Sequence, residues 1–176
     1  MSPLTPCNPR VPAEWAAHEA CLMVWPTRAA LWGPAFEAAK REYAAVARAI
    51  ADFEPVIVIA APGLADEARA ACGGATASDT GGGHPIEVVE LPADDSWLRD
   101  SGPIFAYDER GDRVGVDFRF NAWGEKHHPR TADDKFASAL PGRKVVGVPT
   151  PVLAYGGGGV HCITQQLPTE REDLTA

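Results

Sequence analysis

Apolar residues recur along this chain with two different periods. From Phe36 to Ile50, Phe36, Tyr43, Val46 and Ile50 fall at helical spacing, with Glu37, Lys40, Arg41 and Arg48 turned outward. The alanines between them raise helix propensity, and Pro34 suits a first helical position, where a missing N–H costs nothing. A long amphipathic helix is therefore predicted from Pro34 to Phe53. At Pro55 the pattern changes to Val56-Ile57-Val58-Ile59, a β-branched run that reads as a strand buried on both faces. Leu64 to Cys72 reads as a short helix ended by Gly73-Gly74, and Ile86 to Leu91 as a second strand stopped by Pro92. Ile104–Tyr107 and Val114–Phe120 predict a hairpin around Asp108-Glu109-Arg110-Gly111-Asp112. Thr131 can cap a brief helix through Leu140, and Val145–Val148 and Val152–Tyr155 read as short strands. From Pro168 onward the charged tail is expected to be loose. This alternation is that of an α/β chain, read as one domain over residues 1–176.

Composition narrows the class of protein. Of 176 residues, 45% are apolar and 23% charged, which fits a packed core and excludes disorder. The longest mostly apolar run, Pro55 to Leu64, is far short of the ~20 residues of a membrane span. The first ten residues carry no apolar core of a signal peptide, no membrane partner is expected, and cysteine usage points to the cytoplasm. A net charge of −8 disfavours nucleic acid as a partner and suits cationic ligands. Cys7, Cys21, Cys72 and Cys162 form no Cys-x-x-Cys pair, which favours neither a disulfide framework nor structural zinc. His127-His128 and His161-Cys162 do not change that, and no metal site is expected.

Two segments carry candidate chemistry. Asp94-Asp95-Ser96-Trp97-Leu98-Arg99-Asp100-Ser101-Gly102-Pro103 puts three carboxylates, a guanidinium and an indole directly before a strand. Crowded carboxylates attract cations or a guanidinium group. The plainer alternative is a solvated acidic loop in which Arg99 pairs with an aspartate. The second segment is Gly156-Gly157-Gly158-Gly159-Val160-His161-Cys162. Its glycines permit close backbone approach and can offer a row of N–H donors to an anion or oxyanion, which would also stabilise a Cys162 thiolate. His161 invites the role of base, but neighbouring side chains of an extended segment point to opposite sides. A flexible glycine linker ahead of an inert buried thiol is the alternative here. No Gly-Lys-Ser/Thr follows the glycines, and neither Ser96 nor Ser101 lies in a Gly-x-Ser-x-Gly context, so neither a phosphate-binding loop nor a serine hydrolase is indicated.

Four motifs in order give the chain a family resemblance. They are Pro12-Ala13-Glu14-Trp15 with His18-Glu19 and Met23-Val24-Trp25-Pro26; Asp95 to Pro103; Val116-Asp117-Phe118-Arg119-Phe120-Asn121-Ala122-Trp123-Gly124; and Gly156 to Gln166. Over roughly residues 11–168 the chain resembles the agmatine deiminases and bacterial peptidyl-arginine deiminases. The resemblance implies a pentein fold, a five-bladed α/β propeller around a substrate tunnel. It implies hydrolysis of agmatine to N-carbamoylputrescine and ammonia through a covalent cysteine intermediate, with no metal or organic cofactor. Carried over by position, Cys162 is the nucleophile, Asp100 is a guanidinium-binding carboxylate, Trp97 walls the pocket, and Gly157 and Gly158 line it.

The departures from the family pattern are as informative. Five modules need a chain roughly twice this long. No Glu-Gly-Gly, His-x-Asp-Gly or Asn-Pro-Asn-Arg-type segment is present, and His84, His127 and His128 stand in no matching context. The chain reads as internally deleted near residues 127–140, leaving two to three modules. It would lack the family's catalytic histidine and second carboxylate. An incomplete ring would expose an apolar strand edge, which favours a homo-oligomer. Three readings stand: a deiminase, acting on agmatine or on peptidyl-arginine; a non-catalytic remnant that binds cationic ligands; and a small α/β domain with a redox-active Cys162.

Overall fold

The amphipathic segment folds as expected and sets the architecture. In a computed structural model that describes residues 10–73, 83–116, 152–153, 156 and 158–171, the long helix α2 spans Phe36–Ala51. It buries Ala39, Tyr43, Ala44, Val46, Ala47 and Ala51 on one side. A short turn, α1 (Ala29–Trp32), and a 3-10 turn (Gly33–Ala35) precede it. Pro34 lies in the first positions of that 3-10 turn, so the α-helix begins two residues later than Pro34.

Strand β2 (Val56–Ala60) follows and is paired on both edges. Its partners are β1 (His18–Val24) and β3 (Ile86–Glu90), both parallel to it, and β6 (Thr164–Pro168) joins the far edge of β1 antiparallel. The sheet order is β3-β2-β1-β6. Val56, Val58 and Ala60 face α2 and join a core with Met23, Trp25, Trp32, Tyr43 and Val88. Ile57 and Ile59 face the other way, towards Leu22, Val24, Leu98, Phe105 and Leu167. A strand between two apolar layers needs no polar alternation, which explains the continuous β-branched run. On β3, which is the outermost strand of the sheet among the described residues, Ile86 and Val88 point inward while Glu87 and Glu90 are exposed, and charges on an outer strand discourage further pairing.

Helix α3 (Ala65–Cys72) ends at Gly73, whose φ of 96° makes the left-handed cap that its position predicted. A four-residue turn, α4 (Leu98–Ser101), leads into the hairpin of β4 (Ile104–Tyr107) and β5 (Arg113–Val116). Asp108 closes that hairpin by accepting the N–H groups of Arg110 at 2.8 Å and Asp112 at 3.0 Å, which hold its carboxyl below the usual range. The turn α5 (Val160–Ile163) runs directly into β6.

Three expectations change. Val152 and Leu153, read as the start of a strand, are helical, because the Glu42 carboxylate accepts both of their N–H groups at 2.9 Å and so starts a helical turn. The loose tail does not begin at Pro168. That residue ends β6, Thr169 N–H bonds to Ala17 O at 3.2 Å, and Arg171 bridges to Asp112. Strands β1 and β6 had not been expected. The predicted helix from Thr131 to Leu140, the strand Val145–Val148, residues 117–120 of the hairpin and residues 172–176 lie outside the described residues. Among the described residues, no helix is long and apolar enough to cross a membrane.

Candidate functional site

The acidic segment is not a solvated loop. Asp95, Ser96, Trp97 and Leu98 are all buried, Asp95 to 2% exposure. Its Oδ1 accepts the Ser96 N–H at 2.8 Å, and Oδ2 lies 3.2 Å from the Arg28 guanidinium. Ser96 Oγ in turn accepts the Tyr43 hydroxyl at 2.9 Å, which ties the segment to α2. Burial, and then the nearby Asp95 and Cys162, push the Tyr43 hydroxyl up, while the Ser96 hydrogen bond acts against them. From Trp97 the chain turns at once into α4, with Ser101 Oγ donating to Trp97 O at 3.0 Å and Gly102 N–H to Leu98 O at 2.8 Å. A Cβ on Gly102 would sit 2.6 Å from the Leu98 carbonyl, so glycine is required at this close approach. This turn presents Asp100 on the exposed surface of α4, with its N–H bonded to Trp97 O at 3.1 Å.

Arg99 reaches partners far away in sequence. Its Nη2 donates to Gln166 Oε1 at 2.7 Å, its Nη1 to Glu14 Oε1 at 3.3 Å and its Nε to His161 O at 3.4 Å. The guanidinium therefore fastens α4 to the α5–β6 segment.

The glycine run serves packing more than donor supply. Gly156 N–H bonds to Val152 O at 3.0 Å and Gly158 N–H to Leu153 O at 3.3 Å, so neither is left for an anion. The Gly158 N–H is engaged by the helical turn at Val152–Leu153. Without side chains, the two glycines lie flush on indoles, where a Cβ on Gly156 would collide with Trp32 and one on Gly158 with Trp97. Gly157 lies outside the described residues. Glu42 fixes the start of this segment by its two backbone bonds. Glu42→Ala is expected to cost about 1–3 kcal/mol by leaving those N–H groups unpaired, as urea denaturation would measure.

Cys162 lies in α5, half-buried against the core that holds Trp97 and Tyr43. Its N–H bonds to Gly159 O at 3.0 Å. Turns α4 and α5 pack together, so the structure brings Cys162, Trp97, Gly158 and the turn bearing Asp100 into one neighbourhood. His161 faces away from the core, as expected, but for a different reason. The segment is a helical turn, not an extended strand, and the His161 side chain is 62% exposed with Nε2 3.1 Å from Glu14 Oε1. Trp97, expected to wall a pocket, is 5% exposed and stacks on Trp32 at 5.5 Å between centroids, so any wall it forms is part of the core. The other two described cysteines are buried, and burial pushes Cys21 up to about 12 and Cys72 up to about 11. Sequence reasoning missed Glu14, Arg28 and Glu42 as holders of the site. Their partners are 147, 67 and 110 positions away, so no local pattern marks them. A cavity of about 270 Å³ opens beside Arg99, Glu14 and Gln166, with Val11, Ile104 and Phe105 among its walls, and neither Cys162 nor Asp100 lines it.

The family model of the Porphyromonas-type peptidyl-arginine deiminases matches residues 10–140 and 130–168. The chain belongs to this family. Among its relatives, an agmatine deiminase of Pseudomonas aeruginosa (strain LESB58) is 41% identical over 162 residues, covering 86% of this chain and 40% of that protein. An agmatine deiminase of Stutzerimonas stutzeri is 45% identical over 123 residues, covering 70% of this chain and 31% of that protein. The solved agmatine deiminase of Enterococcus faecalis superposes with a TM-score of 0.61 at 30% identity, covering 74% of this chain and 34% of that one. The mixed α/β architecture is thus that of the agmatine deiminase fold. This family member spans 40% or less of the length of the relatives named.

Proposed function

We propose that this chain carries part of a guanidine-hydrolysing site for agmatine, with Cys162 as nucleophile and Asp100 as a carboxylate for the guanidinium. The observation that carries the reading is the packing of α5, which bears a half-buried cysteine, against α4, which bears an exposed aspartate. The relatives named agmatine deiminase support the choice of substrate. In the reaction, the Cys162 thiolate adds to the guanidinium carbon and the C–N bond to a terminal nitrogen breaks, releasing ammonia. Water then adds to the same carbon, the C–S bond breaks, and N-carbamoylputrescine leaves with the thiolate restored. A carboxylate suits the planar, forked donor set of a guanidinium. An acidic chain of net charge −8 suits a dicationic substrate. Three free thiols among the described residues fit a reducing, cytoplasmic setting.

The sequence has no His-x-Asp-Gly segment, which favours a second reading, binding of the cationic ligand with little turnover. An internal deletion near residues 127–140 would account for that missing segment.

Binding can be tested apart from chemistry. A charge-assisted carboxylate–guanidinium contact is worth ~1.5–3 kcal/mol. Asp100→Asn keeps the shape and removes the charge, so agmatine affinity measured by calorimetry should fall roughly ten- to a hundredfold. Asp94→Asn, on a residue whose backbone carbonyl accepts Thr27 Oγ1 at 3.2 Å, should matter much less. Equal affinities for the wild type and Asp100→Asn would remove Asp100 from the site. Measurable release of N-carbamoylputrescine favours the enzyme; binding without release favours the second reading.

A further inference from the structure

We infer that a second copy of this chain docks on the surface around Trp15, with Trp15 of each copy seated in the other's cavity beside Arg99. The surface there is apolar and open to water: Trp15 is 77% exposed, Val11 60% and Ile104 42%. Scattered exposed aliphatic residues are ordinary, but an indole left in water has a large area to bury. The indoles of Trp25, Trp32 and Trp97 are all buried, so Trp15 is the exception among the described residues. Its place is specific. Ala13, Glu14 and Ala16, on either side of it in sequence, line the cavity of about 270 Å³, as do Val11 and Ile104, whereas Trp15 itself does not. A knob and a hole thus stand side by side on one surface. Two copies related by a two-fold axis can exchange knobs, so that each fills the other's hole in a closed pair. The outer strand β3 offers no such place, since Glu87 and Glu90 are exposed along it.

The lining has the chemistry that an indole asks for. Val11, Ile104 and Phe105 give apolar walls for the ring. Arg99 supplies a cation, and its hydrogen bonds to Gln166, Glu14 and His161 run along the rim of the guanidinium. Such bonds leave the planar faces able to stack on an aromatic ring. An indole N–H needs an acceptor when it is buried. Gln165, buried to 7% exposure, also lines the cavity, and its Nε2 donates to Gln166 O at 3.4 Å, which leaves Oε1 to accept. Apolar walls, a cation and a buried amide oxygen together fit tryptophan better than an aliphatic side chain, and the chain carries an exposed tryptophan at the cavity's rim. Each indole buries about 150–250 Å², so the pair is smaller than a standard interface of about 1,600 Å² and should be reversible at micromolar concentrations.

The test is sedimentation of the full chain from about 1 to about 200 μM, where a monomer–dimer equilibrium is expected. Trp15→Ala removes the knob and keeps the cavity, while Ala13→Gln crowds the cavity's rim and keeps the knob. Each should weaken dimerisation at least about a hundredfold, because a two-fold interface loses both contacts at once. An equimolar mixture of the two variants should pair more tightly than either alone, since one copy's Trp15 still meets the other's open cavity. Both positions are exposed, so the fold should be kept, which circular dichroism checks. Fluorescence gives a second reading. The emission of the wild type should shift to the blue as concentration rises and Trp15 leaves water, and if a variant unfolds this reading decides alone. A chain that stays monomeric, an emission that does not move, or dimers that survive Trp15→Ala overturn the proposal. Dimers lost in Trp15→Ala but kept in Ala13→Gln would pair the two indoles directly and overturn it equally. No agmatine is used, so a failure of agmatine binding and a failure of this proposal remain distinguishable.

Discussion

Cys162→Ser is expected to lower release of N-carbamoylputrescine and ammonia from agmatine by at least about 10³-fold, because a serine hydroxyl in this setting is almost never ionised. Cys21→Ala and Cys72→Ala should retain most of whatever turnover the chain has. The contrast follows from where the thiols lie. Cys21, on β1, is buried and is pushed up to about 12 by that burial, with Glu54 adding to the shift. Cys72 ends α3 inside the core and is pushed up to about 11, again by burial. At pH 7 to 8 both remain neutral thiols and neither can attack carbon. Cys162 alone among the described cysteines is half-exposed, on a turn braced by Arg99 and packed beside the α4 turn. Ammonia release during a single turnover, followed by the intact mass of the chain, reads the same step even if water attack is slow. A loss from Cys72→Ala equal to that from Cys162→Ser would sink the assignment.

The chain's regular elements and its site were legible to different degrees. Helix α2 and strand β2 could be read from spacing because each meets one simple boundary: an apolar face on α2, two on β2. Strand β6 could not, because Thr-Gln-Gln-Leu-Pro buries Thr164 and Gln165 and shows no apolar alternation. Its place is set by pairing with β1, a partner more than 140 positions away. The same distance in sequence hid the supports of the site. Cys162 and Asp100 stand out in the motifs as candidates, but Glu14, Arg28 and Glu42 gain meaning only once the fold brings them to Arg99, Asp95 and the Val152–Leu153 turn. The glycine run shows the reverse case. Composition suggested free N–H donors, whereas the fold uses the absence of Cβ atoms to seat the backbone on Trp32 and Trp97.

That seating makes Trp97 the residue whose loss should cost the fold most among those named for the site. Trp97 stacks on Trp32, which meets Tyr43 edge-on at 6.2 Å, and Gly158 closes over its ring. Tyr43 bonds to Ser96, the residue just before Trp97, so the aromatic stack and the acidic segment are one packed unit. Trp→Ala in a well-packed core typically costs about 3–5 kcal/mol, a large share of the ~5–15 kcal/mol by which domains are stable. Trp97→Ala should therefore lower the urea midpoint sharply, followed by circular dichroism. Trp97→Phe, which keeps an aromatic face for Gly158, should lose less than half as much. A substrate-pocket wall exposed to water would behave differently, since its truncation weakens ligand binding and leaves stability nearly unchanged. Trp97→Ala with an unaltered urea midpoint and weakened agmatine binding would place the indole in the pocket and remove it from the core. A large loss of stability that Trp97→Phe mostly restores would mean that Cys162 is positioned by the core itself, through the glycines that rest on it.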